Sequence, residues 1–243
     1  MRTVIVLLVW APWIWAQEIP FAQPYLQVYD DAITPGMGQA HAQALARFKQ
    51  AAVPAGYRES FHFFRMDDGH YPAFNPQRSA EFSKSSEAHW AAVADEIDAG
   101  LLAENAKVYR ETIASQDLYL LARRPAFGHP AEGPKIQAFV VVDILYLKHA
   151  RIEEAGRHLT ALAGLASREK APLHYAVYAK TSGAGLPALY RYTFAASRTD
   201  YERRTQRTVR LLGAEGEDLQ RKLESCLRSK SRRTGWYLPH LSY

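Results

Sequence analysis

The sequence predicts an α+β chain made of two successive units, and three observations carry that expectation. Runs with the strand period of two alternate with tracts of helical period in the order β-α-β-β-α-β, twice over. A proline- and glycine-rich stretch, Arg124–Pro134, falls between the two series and reads as a linker. Short stretches of the two halves also match each other: Glu81–Trp90 (EFSKSSEAHW) with Thr193–Arg203 (TFAASRTDYER), and Gly100–Asn105 (GLLAEN) with Leu211–Asp218 (LLGAEGED). The chain has 243 residues, 48% hydrophobic and 23% charged, which excludes a disordered, collagen-like or polytopic membrane protein.

In the first half, Tyr25–Thr34 is a strand ended by Pro35-Gly36. Met37–Ala52 has helical spacing at Ala40, Ala44, Leu45 and Phe48, and Pro54-Ala55-Gly56 breaks it. Tyr57–Met66 is a second strand closed by the turn Asp67-Asp68-Gly69, and Tyr71–Phe82 a third, interrupted by proline. Ser85-Ser86-Glu87 offers a helix cap before a long tract to about Ser115, and Asp117–Arg123 ends the unit. The second half repeats the order. Ile136–Leu147 is a strand, Arg151–Ser167 a helix, Leu173–Thr181 and Leu189–Ala195 strands, Thr199–Lys230 a helical tract and Gly235–Leu241 a closing strand. The units are bounded at 25–123, 124–134 (linker) and 135–243. The alternative is a single mixed α/β domain.

Each β-α-β-β-α-β series is the split βαβ unit of the ferredoxin-like fold. With that order, its repetition and the matched stretches, the chain resembles the dimeric α+β barrel superfamily, the fold of antibiotic-biosynthesis monooxygenases, and among them exported proteins of unassigned function. The resemblance covers about residues 25–241 and implies two sheets facing each other in a barrel closed within one chain. It implies no activity.

Residues 1–16 read as a cleavable export signal. Arg2 precedes the apolar run Val4–Trp15, and Ala16 stands at the cleavage position. The run is too short for a membrane-spanning helix, which needs about 20 residues, so no transmembrane segment is expected after cleavage. The single cysteine, Cys226, shares a helical stripe with Leu212, Leu219 and Leu223 and reads as a buried spacer, with no nearby histidine to activate it.

Candidate site residues follow from strand alternation. One face of Tyr57–Met66 is Tyr57, Glu59, Phe61, Phe63 and Arg65; the other is Arg58, Ser60, His62, Phe64 and Met66. His174 and Tyr178 share a face of their strand. Asp143 interrupts an apolar strand, and Arg191 is placed to pair with it; Tyr29 occupies the position equivalent to Asp143. His62, Asp143, His174, Tyr178 and Arg191 are therefore the expected pocket inside the barrel. Satisfied core polar groups are the plain alternative. Some superfamily members bind haem through a helical histidine, and His41, His89 and His158 fall in helical tracts, yet no cofactor is expected. Asp67, Asp68 and His70 are read as a turn, and no metal site is expected.

The net charge of +5 concentrates in Arg198–Arg233, where Arg203, Arg204, Arg207 and Arg210 form a candidate anion surface on a helix. Ion pairs such as Asp218–Lys222 would make it an ordinary solvated face instead. No motif for nucleic-acid binding, phosphate cradling or nucleophilic catalysis occurs. The expected protein is an exported binding or interaction module with a small-molecule ligand, homo-oligomerisation being open. The alternatives are a small-molecule enzyme using the barrel interior, by cofactor-free oxygen or haem chemistry, or an envelope protein held by its basic last helix.

Overall fold

A computed structural model describes residues 20–80, 83–130 and 133–243. The expected export signal lies outside the described residues. Eight strands form one closed antiparallel barrel in the order β1-β3-β2-β8-β5-β7-β6-β4. They are β1 (Tyr25–Ile33), β2 (His62–Met66), β3 (His70–Gln77), β4 (Ile113–Arg123), β5 (Phe139–Leu147), β6 (Tyr175–Lys180), β7 (Ala188–Ala195) and β8 (Leu227–Tyr237). Helices α1 (Gly38–Ala52), α2 (Ser83–Ala94), α3 (Ala99–Thr112), α4 (Ile152–Arg168) and α5 (Arg198–Ser225) pack outside. The strand order β4-β1-β3-β2 in the first half recurs as β8-β5-β7-β6 in the second.

Two seams close the barrel. At one, β4 pairs with β6 (Leu121 opposite Lys180); at the other, β2 pairs with β8 (Met66 opposite Gly235). Gly235 is needed there because a Cβ would lie 2.4 Å from the Arg65 carbonyl oxygen and 2.8 Å from Met66 Cα. Closure leaves no free sheet edge.

Burial explains the sequence patterns. Eight of the nine β5 residues are buried, because one face enters the barrel and the other lies beneath helices; this is why β5 reads as a continuous apolar run. β1 alternates, with Leu26, Val28 and Asp30 buried. α4 turns Ala155, Leu159, Leu162 and Ala166 to the sheet and carries Glu153 and Glu154 in its first turn, where acids favour the helix dipole.

Three expectations need correction. The helical tract before Ser115 is two helices, because the Asp98 carboxylate accepts the Leu101 N–H at 2.8 Å and caps a new start. The strand expected from Tyr57 begins at His62. The basic tract after Ser225 is strand β8, paired along β5, so Arg228, Lys230, Arg232 and Arg233 are not on a helix.

Candidate functional site

The barrel interior is a core. Leu26, Val28, Phe64, Phe74, Leu121, Val140, Val142, Tyr178, Tyr192 and Phe194 fill it, as eight strands leave just enough room for side chains. Phe21, carried by a short 3-10 helix, closes one end, its ring 4.6 Å from Phe194, 5.2 Å from Tyr192 and 5.8 Å from Phe74 (centroid distances). The Tyr178 hydroxyl donates to the Phe21 carbonyl at 3.0 Å. At the other end a mouth of about 530 Å³ is lined by Asp30, Asp68, His70, Asp117, Lys180 and Arg233, among others. These groups are paired with one another: Arg233 holds Asp30 at 2.6 Å and Asp68 at 2.8 Å, His70 reaches Asp30 at 3.0 Å, and Lys180 lies 3.5 Å from Asp117.

The five expected pocket residues do not share one cavity. Tyr178 faces the interior core, and His62 also points inward, its Nδ1 3.3 Å from the Tyr237 hydroxyl; burial pushes His62 down to about 4. Asp143 and Arg191 project from the opposite, outer face and pair at 2.6 Å, with Arg232 adding a second contact at 2.7 Å. Burial acts to raise the Asp143 pKa, but the two guanidiniums outweigh it and hold the carboxyl below its ordinary value. His174 precedes β6, exposed, its ring 5.4 Å from His129. The physical reason is the alternation itself: Asp143 and Tyr178 stand on opposite sides of the wall.

On α5, Arg203 and Arg204 both pair with Asp200, at 2.6 and 2.7 Å, while Arg207 and Arg210 are exposed. Asp218 pairs with Lys222 at 2.6 Å. Asp67 binds Arg198 at 2.7 Å, so the turn carboxylates serve as ion-pair partners.

The two layers between sheet and helices differ in chemistry. In the second half, Leu145, Leu147, Val177, Leu189, Leu159 and Leu162 make an ordinary apolar contact. In the first half the corresponding layer carries Tyr29, Asp31, His41, Glu59, Asn75 and Gln77. It also holds a pocket of about 290 Å³ lined by Tyr29, Asp31, Phe48, Tyr57, Phe61, Trp90, Tyr109, Gln116 and Tyr243, with Leu45, Phe63, Ala73 and Ile113 beneath. Its walls are aromatic: Tyr57 and Trp90 meet edge-to-face at 5.7 Å, Phe48 and Trp90 lie 5.5 Å apart, and Tyr29 and Phe61 6.0 Å.

Buried polar atoms normally find partners. Among the described residues seven side-chain atoms do not, and five of them belong to this layer or its margin: His41 Nε2, Glu59 Oε1, both amide atoms of Gln77 and Asn105 Nδ2. Each such atom costs free energy unless water or a ligand meets it.

Asp31 and His41 give the pocket its proton chemistry. The Gln116 amide donates to Asp31 Oδ1 at 2.6 Å, and Asp31 Oδ2 faces His41 Nε2 at 3.8 Å. Burial raises the Asp31 pKa and pushes His41 down to about 4, so His41 is neutral at pH 7. Thr112 bonds His41 Nδ1 at 3.2 Å and fixes the ring, which lies between Tyr71 and Tyr109. A carboxylate of raised pKa beside aromatic walls is suited to accept a proton from a bound hydroxyl or activated carbon.

Sequence reasoning passed over this site although its signal was present. Tyr57, Glu59, Phe61 and Phe63 form the face opposite to the one chosen. Tyr243 arrives from afar: its N–H donates to the Phe61 carbonyl at 3.0 Å and Phe61 N–H returns to Tyr243 at 2.7 Å.

The helical histidines do not fit haem. His41 is enclosed as described. His89 Nε2 accepts the Arg58 N–H at 3.0 Å with its ring stacked on Tyr57, and His158 lies against Glu154 at 3.5 Å. The aromatic pocket sits at the low end of the ~300–1,000 Å³ range of small-molecule sites, too small for a macrocycle.

No protein-family profile matches the chain, and no curated protein matches it in sequence. Solved structures do match in shape. A candidate monooxygenase from Lactobacillus acidophilus aligns over 88% of this chain and 94% of its own, with a TM-score of 0.57 and 11% identity. An anthrone oxidase-like protein aligns over 90% and 93%, with a TM-score of 0.55 and 13% identity. A mutant chlorite dismutase from Candidatus Nitrospira defluvii, in complex with cyanide, aligns over 90% and 92%, with a TM-score of 0.52 and 11% identity. At such identities the likeness concerns the fold alone. With its eight-stranded closed barrel and flanking helices, the chain shares the α+β barrel fold of these structures.

Proposed function

We propose that the protein binds a planar aromatic small molecule bearing a hydroxyl or carbonyl group in the pocket between the first-half sheet and helices α1–α3. The observation that carries this reading is the contrast between the two sheet–helix layers, one packed with aliphatic side chains, the other holding an aromatic-walled pocket with the Asp31 carboxylate in its lining. Tyr57, Phe61 and Trp90 would sandwich the ring system, and Asp31, held by Gln116, would accept the ligand's hydrogen bond.

Calorimetric titration of the full chain with phenols, quinones and anthrones of one to three rings tests the proposal. Phe61→Ala is expected to weaken binding about tenfold, a loss of roughly 1.4 kcal/mol, while Arg207→Gln leaves it unchanged. Binding to none of these compounds, or unchanged affinity in Phe61→Ala, refutes it.

A second reading is that the ligand is turned over. The raised pKa of Asp31 favours it, since a bound phenol or anthrone deprotonated there becomes electron-rich enough to react with dioxygen without a cofactor. The monooxygenase and anthrone oxidase-like names of proteins with this fold support it by analogy. Oxygen uptake that is lost in Asp31→Asn supports turnover; absence of uptake with a tightly bound ligand opposes it.

Export rests on the leader-like residues 1–16. Amino-terminal sequencing of the native protein is its test, Gln17 as first residue supporting it and Met1 opposing it.

A further inference from the structure

Outside the aromatic pocket, one cluster of ligating side chains stands apart. Glu154, His158 and Cys226 each offer one donor atom, and the three atoms all lie within 4.8 Å of one another, the one such group among the described residues. Glu154 and His158 are one turn apart on α4, and Cys226 ends α5, so packing of the two helices brings the cluster together. We propose that this cluster is a metal site for a divalent ion of borderline softness, with Zn²⁺ as the fitting ion, bound by the Glu154 carboxylate, His158 Nε2 and the Cys226 thiolate, with a fourth position open to water.

The chemistry of the donor set supports the assignment. One carboxylate oxygen, one imidazole nitrogen and one thiolate sulfur are a zinc-type combination, with bonds of about 2.0–2.3 Å that put neighbouring donors roughly 3.3–3.8 Å apart. Glu154 Oε1 and His158 Nε2 already lie at 3.5 Å, and rotation of the side chains closes the rest. His158 Nε2 is a buried atom without a hydrogen-bond partner, and the Cys226 S–H donates to the Lys222 carbonyl at 3.4 Å, a bond that the metal–sulfur bond would replace. Two side-chain nitrogens of Arg151 grip the Glu154 carboxylate, an outer contact of the kind that orients a ligating group. Glu154 and His158 remain partly open to solvent, at 31% and 17%, and give the ion a way in to the buried sulfur. Binding replaces the thiol proton, which is released to water, with the metal–sulfur bond.

The probe is Co²⁺, titrated into the reduced full-length chain. One equivalent is expected to bind with near-ultraviolet thiolate-to-cobalt charge-transfer absorption, and added Zn²⁺ should bleach it by displacement. Cys226→Ser is expected to abolish the band. His158→Gln, with an unchanged circular dichroism spectrum as the check on its fold, should weaken binding by more than the ~10–100-fold typical of outer-contact changes. No thiolate band at saturating Co²⁺ overturns the assignment. So does a band whose affinity is unchanged in His158→Gln.

Discussion

Replacing Phe21 by Ala separates a barrel whose interior is core from one whose interior is a ligand chamber. The Phe21 side chain is fully buried against Phe74, Tyr178, Tyr192 and Phe194. Truncation loses a transfer free energy of about 2 kcal/mol. The ~100 Å³ it vacates adds about 2.4 kcal/mol at roughly 24 cal/mol per Å³ if the walls do not collapse. Partial collapse brings the expected loss to about 3–4 kcal/mol, with the Tyr178–Phe21 backbone bond retained. Guanidinium unfolding of the full chain should show a lower midpoint at unchanged slope. In a thermal scan this corresponds to a fall of roughly 6–16 °C for a chain of this size. A loss below about 1 kcal/mol would mean that the ring contributes little to the core and would refute the reading of the barrel interior as packed core.

Four further outcomes follow from particular contacts. Asp143→Asn leaves Arg191 facing no charge on the outer wall and should cost up to about 3–5 kcal/mol, somewhat less because Arg232 is half exposed; urea unfolding measures it. Since the folded Asp143 pKa is depressed, its contribution is complete above the unfolded value near ~3.9 and fades as pH falls through the lower folded one, so Asp143→Asn should flatten the acid limb. His41 is displaced downward, so its stabilising neutral form is fully present above the unfolded pKa of ~6.5 and is progressively lost toward about 4; an imidazole resonance titrating near 6.5 would contradict its burial. Gly235→Ala drives a methyl group into Arg65 and Met66 at the β2–β8 seam and should cost about 1–3 kcal/mol or more by chemical denaturation; a neutral result would refute the close approach.

Strand and helix order was legible because periodicity and breakers are local: Pro35-Gly36 ends β1 and Asp67-Asp68-Gly69 turns β2 into β3. The errors arose where a partner distant in sequence decides. The Lys- and Arg-rich stretch after Ser225 reads as polar helix, yet β5 offers it a complete ladder, with Arg233 turned inward to Asp30 and Arg232 outward to Asp143. The Asp143–Arg191 pair was readable from strand positions, whereas the face it occupies was not, because alternation divides residues into two sets without saying which set meets the helices. The same ambiguity makes the set holding His62 and Tyr178 as good a candidate in the sequence as the set holding Tyr57, Glu59 and Phe61. Cys226 was expected to be buried, and it is, but the sequence shows no histidine near it; His158 arrives only through the packing of α4 on α5. Phe21 precedes every expected element, so nothing local marked it as the closure of the barrel.

The most direct test of the central claim is a nuclear magnetic resonance titration of the full chain with a two-ring phenol, read as a map of shift perturbations. The expected map centres on Asp31, Tyr57, Phe61, Trp90, Tyr109 and Gln116, between the first-half sheet and its helices. Perturbations gathered instead on Asp30, Tyr119, Lys180, Tyr190 and Arg233 would place the ligand in the barrel mouth and contradict it.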